Sequence, residues 1–154
     1  MGVNATVAVS SELPIPADTV ADLVTRPALM RHVLWPIVTF PDLPEEYDVE
    51  HGVTVGLALL GVVPLWRHTI RVVEIDREAL VAVTEEHGGP VRRWRHRLTA
   101  VPLGDDRCRY TDEVEIDAGA LTGVTRLVAR GLYVYRHRRW RALARVLARP
   151  TARR

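Results

Sequence analysis

A chain of 154 residues, 47% hydrophobic and 26% charged, can bury roughly two-thirds of its unfolded surface and reads as one globular domain over residues 1–154. All 21 basic residues are arginine, the usage expected of a high-GC bacterial genome, which excludes Schiff-base catalysis by a lysine. The lone Cys108 excludes an internal disulfide and a zinc site of several cysteines.

Val3–Val9 alternates like a strand. Pro16-Ala17-Asp18 opens a short helix with Val20, Leu23 and Val24 on one side, and Pro27–Leu34 forms a second, ended by Trp35-Pro36. From Ile37 to Asp117 the chain is rich in valine, isoleucine and threonine. Breaks near Pro41–Glu46, Glu50–Gly52, Gly61–Pro64, Asp76–Glu78, Gly88–Pro90 and Pro102–Asp106 divide it into about six strands of a meander. Ala120–Arg149 then reads as one helix of about 30 residues, ~45 Å long. Leu121, Val124, Val128, Gly131, Tyr135, Leu143 and Val146–Leu147 form its apolar stripe, and most of the arginines from Arg136 to Arg141 face solvent.

Within the meander, Val91–Val101 and Arg107–Asp117 read as an antiparallel hairpin. Pairing symmetric about Gly104 sets Arg95 opposite Glu113, Arg93 opposite Glu115 and Arg97 opposite Thr111 on a face content in water. The other face sets Trp94, His96, Leu98 and Ala100 against Val114, Asp112, Tyr110 and Cys108, so a His96–Asp112 pair is expected on a buried surface. Such a pair suits general acid–base chemistry, with Asp112 holding the imidazole tautomer, or else it is a satisfied core histidine that fixes the hairpin. The segment Trp66–Arg71 alternates likewise, with Trp66, His68 and Ile70 inward. If the turn at Asp76–Glu78 keeps parity, Glu86 falls opposite His68, whereas a one-residue slip sends Glu85 and His87 inward. His68, Glu86, His96 and Asp112 are groups that suit zinc or iron, but no ligand spacing supports a metal.

The order of elements (a strand, two short helices, a six-strand meander, a long final helix) carries a resemblance over nearly the whole chain. Joined to it are Gly89-Pro90 before Trp94-Arg95-His96, then Thr111-Asp112-Glu113-Val114, then Tyr135-Arg136-His137-Arg138 in the last helix. The chain resembles the SRPBCC superfamily, which includes START lipid-transfer domains, birch-pollen-allergen-like proteins and polyketide cyclases and dehydratases. Within it, the bacterial cyclase/dehydrase-like group is most similar. The resemblance implies an α+β helix-grip fold, a curved antiparallel sheet of about seven strands wrapped around the C-terminal helix, with a cavity between. It implies a polyketide- or terpenoid-like ligand of secondary metabolism, bound and cyclised or dehydrated without a cofactor, or held by a non-catalytic carrier. His96 and Asp112 are then the catalytic candidates. Trp66, His68, Glu86, Trp94, Tyr110 and Tyr135 are candidate cavity walls, and Gly131 leaves room for ligand beneath the helix; close packing on the sheet is the other reading of that glycine.

Charge is unevenly spread. From Ala118 onward there are ten arginines and no acid, while eleven arginines before it face nineteen acids. A solvated helix face balancing an acidic body is the favoured reading, and contact with an anionic membrane surface is the rival. No base-reading motif accompanies the charge, so nucleic acid is not an expected partner. The edge strand and the two small helices are the surfaces open to a homodimer. Met1–Ser10 lacks the basic start and apolar run of a signal peptide, and a cytoplasmic location is expected. Gly52–Trp66, the longest apolar stretch, is too short and too broken by glycine and proline to span a bilayer.

Overall fold

The architecture comes from a computed structural model, which describes residues 4–150. Strand β1 (Ala5–Leu13) is followed by helices α1 (Ala17–Val24) and α2 (Pro27–Leu34). Then come β2 (Val38–Thr39), β3 (Val53–Leu59), β4 (Val63–Asp76), β5 (Val81–Gly88), β6 (Val91–Pro102) and β7 (Cys108–Asp117). A 3-10 turn at Gly119–Leu121 leads into α3 (Thr122–Leu147). The predicted start of the first strand at Val3 lies outside the described residues, and the strand continues past Val9 to Leu13.

Each helix is short or long for a local reason. Pro27 occupies the first turn of α2, where its missing N–H costs nothing, and Arg31 and His32 sit in the last turn facing the negative end of the helix dipole. The Trp35-Pro36 step then disfavours further helix. Ala17 and Val20 of α1 and Leu29, Val33 and Leu34 of α2 are buried, joining Leu13, Val55, Tyr110 and Trp140 in the larger of two apolar clusters.

The seven strands form one curled antiparallel sheet in the order β1-β7-β6-β5-β4-β3-β2. The meander thus pairs neighbour with neighbour, and β1 closes the far edge against β7. Register shifts interrupt the pairing at Gly56/Ala58, Val72/Glu74 and Glu86/Gly88. Bulges of this kind bend a strand and increase its twist, which suits a sheet that must wrap a helix.

Two expectations need correction. The β6–β7 hairpin is centred on Asp105, not Gly104, because Pro102 pairs with Cys108 and leaves a five-residue connection closed by Leu103 N–H to the Arg107 carbonyl. Arg95 therefore faces Glu115 and Arg97 faces Glu113, while His96 faces Val114 and Leu98 faces Asp112. A shift of two residues conserves the face of every side chain, so His96 and Asp112 remain on the inner surface as diagonal neighbours.

The second correction concerns α3. Its buried face consists of Thr122, Ala129, Tyr133, Arg136, His137, Trp140 and Ala144, not the expected apolar stripe. Leu121, Val124, Val128, Val146 and Leu147 are exposed. Arg138 and Arg141 face solvent as expected, whereas Arg136 is buried. The physical reason lies in β7 and β1, whose polar side chains satisfy the helix's arginine and histidine.

Candidate active site

Alternation along the strands aims a row of polar side chains at the concave surface, one element after another. His68 comes from β4, Glu86 from β5, His96 from β6 and Asp112 from β7, and α3 lays Tyr133, Arg136 and His137 over them. All seven are buried or nearly so.

Asp112 is the centre. Its Oδ1 accepts from the Tyr110 hydroxyl at 2.6 Å and from His96 Nε2 at 2.7 Å. Its Oδ2 accepts from Arg136 Nε and from His137 Nε2, each at 3.0 Å. Four donors on one carboxylate consume its acceptor capacity, as a buried charge requires. Burial opposes the ionised form, but the Arg136 guanidinium, His96 and the imidazole hydrogen bonds outweigh it and hold the carboxyl well below the usual range. Burial likewise works against the Arg136 charge, and the Asp112 carboxylate more than restores it.

These bonds determine the tautomers. His137 donates from Nε2, so its Nδ1 accepts the Ser11 hydroxyl at 2.8 Å. His96 also donates from Nε2, which leaves its Nδ1 as the acceptor. That nitrogen lies 3.4 Å from the Tyr133 hydroxyl and 3.9 Å from Glu86 Oε1. Burial, reinforced by the charge of Asp112, raises the Tyr133 phenol well above its ordinary value, so it stays an O–H donor. The two rings meet edge to face at 5.2 Å, and Trp94 stacks on the far side of Tyr133 at 6.1 Å.

Glu86 forms a second centre. It accepts His68 Nε2–H at 3.0 Å on one oxygen and the Thr84 hydroxyl at 2.6 Å on the other. Burial pushes its carboxyl up, yet the His68 hydrogen bond and the two neighbouring imidazoles bring it below the ordinary glutamate value. Glu86 pairs across the sheet with Ile70, and His68, two residues earlier on the same face, reaches it diagonally. The alternative slip is not seen: Glu85 lies on the other face and bonds Arg95 at 2.9 Å.

A cavity of about 770 Å³ opens above this row, between the sheet and the helices. His68, Thr84, Glu86, His96, Tyr133 and Arg136 provide polar atoms along its floor, and the remaining walls are mostly apolar. Trp66 and Trp94 line it as expected positions would have them. Gly89, at φ 53°, leaves space that the Trp66 ring occupies, since a Cβ there would lie 2.5 Å from the indole. Gly131 lines the cavity too, and a Cβ on it would meet nothing within 4 Å. The open-space reading of that glycine is the one the geometry favours.

Three of the sequence candidates sit elsewhere. Asp112 stands behind His96, out of the cavity, and can act only through the imidazole. Tyr110 is turned into the core, edge-on to Trp140 at 5.8 Å, because its hydroxyl is held by Asp112 and Arg136 Nη2. Tyr135 donates its hydroxyl to the Trp35 carbonyl and is not a cavity wall. Sequence reasoning missed Tyr133, Arg136 and His137. Their signal was a helical stripe of Tyr133, Arg136/His137, Trp140 and Ala144, obscured because arginine and histidine count as polar. Among the described residues, no group of three or more histidine, cysteine, aspartate or glutamate side chains is arranged to hold a metal ion.

A curled seven-stranded sheet gripping a long C-terminal helix, with a cavity between them, is a helix-grip fold. Solved structures share it at low sequence identity. Norcoclaurine synthase from Thalictrum flavum, as a point mutant in complex with a transition-state analogue, is 16% identical with a TM-score of 0.72, covering 97% of this chain and 99% of that one. The Zhui aromatase/cyclase from Streptomyces sp. R1128 is 14% identical with a TM-score of 0.74, over 97% and 99% of the two chains. A START superfamily protein from Mycobacterium smegmatis is 12% identical with a TM-score of 0.68, over 92% and 98%. No curated protein matches by sequence. At family level, residues 11–144 match the model described as a domain of unknown function, DUF8410, and the chain belongs to that family.

Proposed function

We propose that the cavity binds a small hydrophobic, polyketide- or terpenoid-like molecule and that the protein catalyses its cyclisation or dehydration, with no cofactor, by holding it folded and moving a proton on His96. One observation carries this reading: Asp112 occupies Nε2 of His96, so Nδ1, held only by a long 3.4 Å hydrogen bond from the Tyr133 hydroxyl, is the base that His96 offers at the cavity it lines. The cavity size falls within the range of drug-sized ligand sites.

Nδ1 takes a proton from a carbon beside a substrate carbonyl, and the adjacent Asp112 carboxylate stabilises the imidazolium. The carbonyl oxygen, now an enolate, is held by Arg136, which lines the cavity and whose Nη1 makes no hydrogen bond among the described residues. For dehydration, the enolate expels a hydroxyl on the next carbon, which leaves as water with the proton returned from Nδ1. For cyclisation, the enolate attacks a second carbonyl of the folded chain, and the new alkoxide takes that proton. Tyr133 positions the imidazole from above. A carrier that holds the same molecule unchanged is the second reading, supported by the saturation of Asp112 by protein donors alone.

The test is incubation with a metabolite extract, followed by mass spectrometry of free and protein-bound compounds. A compound replaced by a product lighter by one water, or of equal mass and shifted retention, supports catalysis. His96→Ala should then bind the compound and not convert it. Retention of every bound compound unchanged by the wild type would sink the catalytic reading and leave the carrier.

A further inference from the structure

The two inward carboxylates differ in how far their hydrogen bonding is filled. An ionised carboxylate offers about four acceptor positions. Asp112 meets four donors and leaves none of its side chain exposed. Glu86 meets two, the Thr84 hydroxyl on Oε1 and His68 Nε2–H on Oε2, and it lines the cavity with 13% of its side chain exposed. Burial opposes its charge, but the His68 hydrogen bond and the neighbouring imidazoles keep it ionised. One acceptor position on each oxygen is left open.

Among the described residues, the side chains in ionic contact with Glu86 are His68 and His96. His96 approaches Oε1 to 3.9 Å through Nδ1, an acceptor with no proton to give. His68 spends its N–H on Oε2, and its Nδ1 is buried without a partner where a Cβ on Gly88 would lie 3.0 Å away. The imidazole therefore aims the carboxylate and leaves no N–H for a ligand. A charge held away from water with open acceptor positions is costly, and a donor arriving with the ligand removes that cost. An ammonium and a hydroxyl can both supply it. The ammonium would meet the Arg136 guanidinium on the same cavity and walls that are mostly apolar, whereas the neutral hydroxyl meets neither obstacle.

We propose that Glu86 is the recognition site for a hydroxyl group on an otherwise apolar ligand, so that the cavity selects a phenol, enol or alcohol through its O–H. Thr84 and His68 are positioning residues that fix the carboxylate for this contact. The inference rests on the apolar-ligand reading above, and it holds for a catalyst and a carrier alike.

The experiment is calorimetric titration of the full chain at neutral pH with 2-naphthol, 2-methylnaphthalene, 2-methoxynaphthalene and 2-(aminomethyl)naphthalene. A hydrogen bond to a charged acceptor makes 2-naphthol the tighter ligand by roughly tenfold to a hundredfold over its methyl isostere. The methoxy compound, which accepts but cannot donate, should lack that gain. Glu86→Gln keeps the shape of the side chain and removes its charge, and it should cancel most of the advantage, with the loss confined to the hydroxyl ligand. In the unaltered protein, the ¹³C resonance of the Glu86 carboxyl carbon should move on addition of 2-naphthol and stay in place on addition of 2-methylnaphthalene, a result that needs no variant to fold. Equal affinity for naphthol and methylnaphthalene, or a carboxyl resonance indifferent to naphthol, would overturn the proposal. A methoxy compound that binds as tightly as naphthol would also overturn it, since the contact would then be an oxygen accepting from Arg136. Tighter binding of the aminomethyl compound, an ammonium at this pH, would replace the hydroxyl by a cation. Binding of none of the four would overturn the apolar-ligand reading together with this one, whereas binding of all four without preference for the hydroxyl would overturn this one alone.

Discussion

Replacing Asp112 by asparagine removes one charge and keeps the shape of the side chain. Of the four donors on the carboxylate, Arg136 can only donate, so the amide oxygen of the new residue must stay on its side, shared with His137. The amide NH₂ then faces His96 Nε2 and the Tyr110 oxygen. The tyrosine hydroxyl can rotate to accept, but His96 must offer a lone pair at Nε2 and so carries its proton on Nδ1, toward the cavity. The imidazole becomes a donor where the proposed chemistry needs a base. Stability falls as well, because the Arg136 guanidinium, 8% exposed, loses its counter-charge. Removing one partner of a buried pair costs about 3–5 kcal/mol. At roughly 2–4 °C per kcal/mol for a chain of this size, that lowers the melting temperature by roughly 6–20 °C. Thermal melts and ¹⁵N shifts of the histidine rings read the two effects separately. The Asp112 carboxyl is depressed in the folded state, so the advantage of the wild type is complete above about pH 5 and narrows below about pH 4. A variant within about 1 kcal/mol of wild type at neutral pH, or a His96 still protonated on Nε2, would refute this account of the network.

Gly131→Ala should raise stability by up to ~1 kcal/mol, since its Cβ enters open space in mid-helix, whereas Gly131→Phe should keep the fold and weaken binding of an apolar fluorescent probe. Equal probe affinity in the phenylalanine variant would show that the cavity beneath α3 is not where ligand sits. Gly89→Ala should destabilise by about 1–3 kcal/mol in urea, because its Cβ would fall within the Trp66 ring and the backbone is left-handed there. Acid should unfold the protein in a window below about pH 4, since both Asp112 and Glu86 are depressed in the folded state and their contribution is lost as pH falls through the folded values. Stability that stays level between pH 7 and pH 3 would contradict both assignments.

Alternation with period two determined which side chains of β4, β6 and β7 face inward and set His68, His96 and Asp112 on inner faces, while Glu86 of β5 hung on the parity of the Asp76–Glu78 turn, which only the tertiary pairing decided. That inference survived the shift of the hairpin centre from Gly104 to Asp105 because two residues return every side chain to its own face. The pairing itself was not legible, since turn geometry decides it and nothing in Pro102–Arg107 favours one centre over the other. The helix misled for a different reason. Val124, Val128 and Gly131 do form a stripe, but they line a cavity rather than a core, and periodicity cannot tell an apolar wall from an apolar filling. The buried face instead contains Arg136 and His137, which a hydropathy pattern assigns to water. Their burial is stabilised by Asp112, 24 and 25 residues away, and by Ser11, 126 residues away. Local sequence determines which way a side chain points from its own strand or helix. Only the tertiary structure decides whether a polar group meets a partner there, because the energy that makes its burial tolerable comes from another part of the chain.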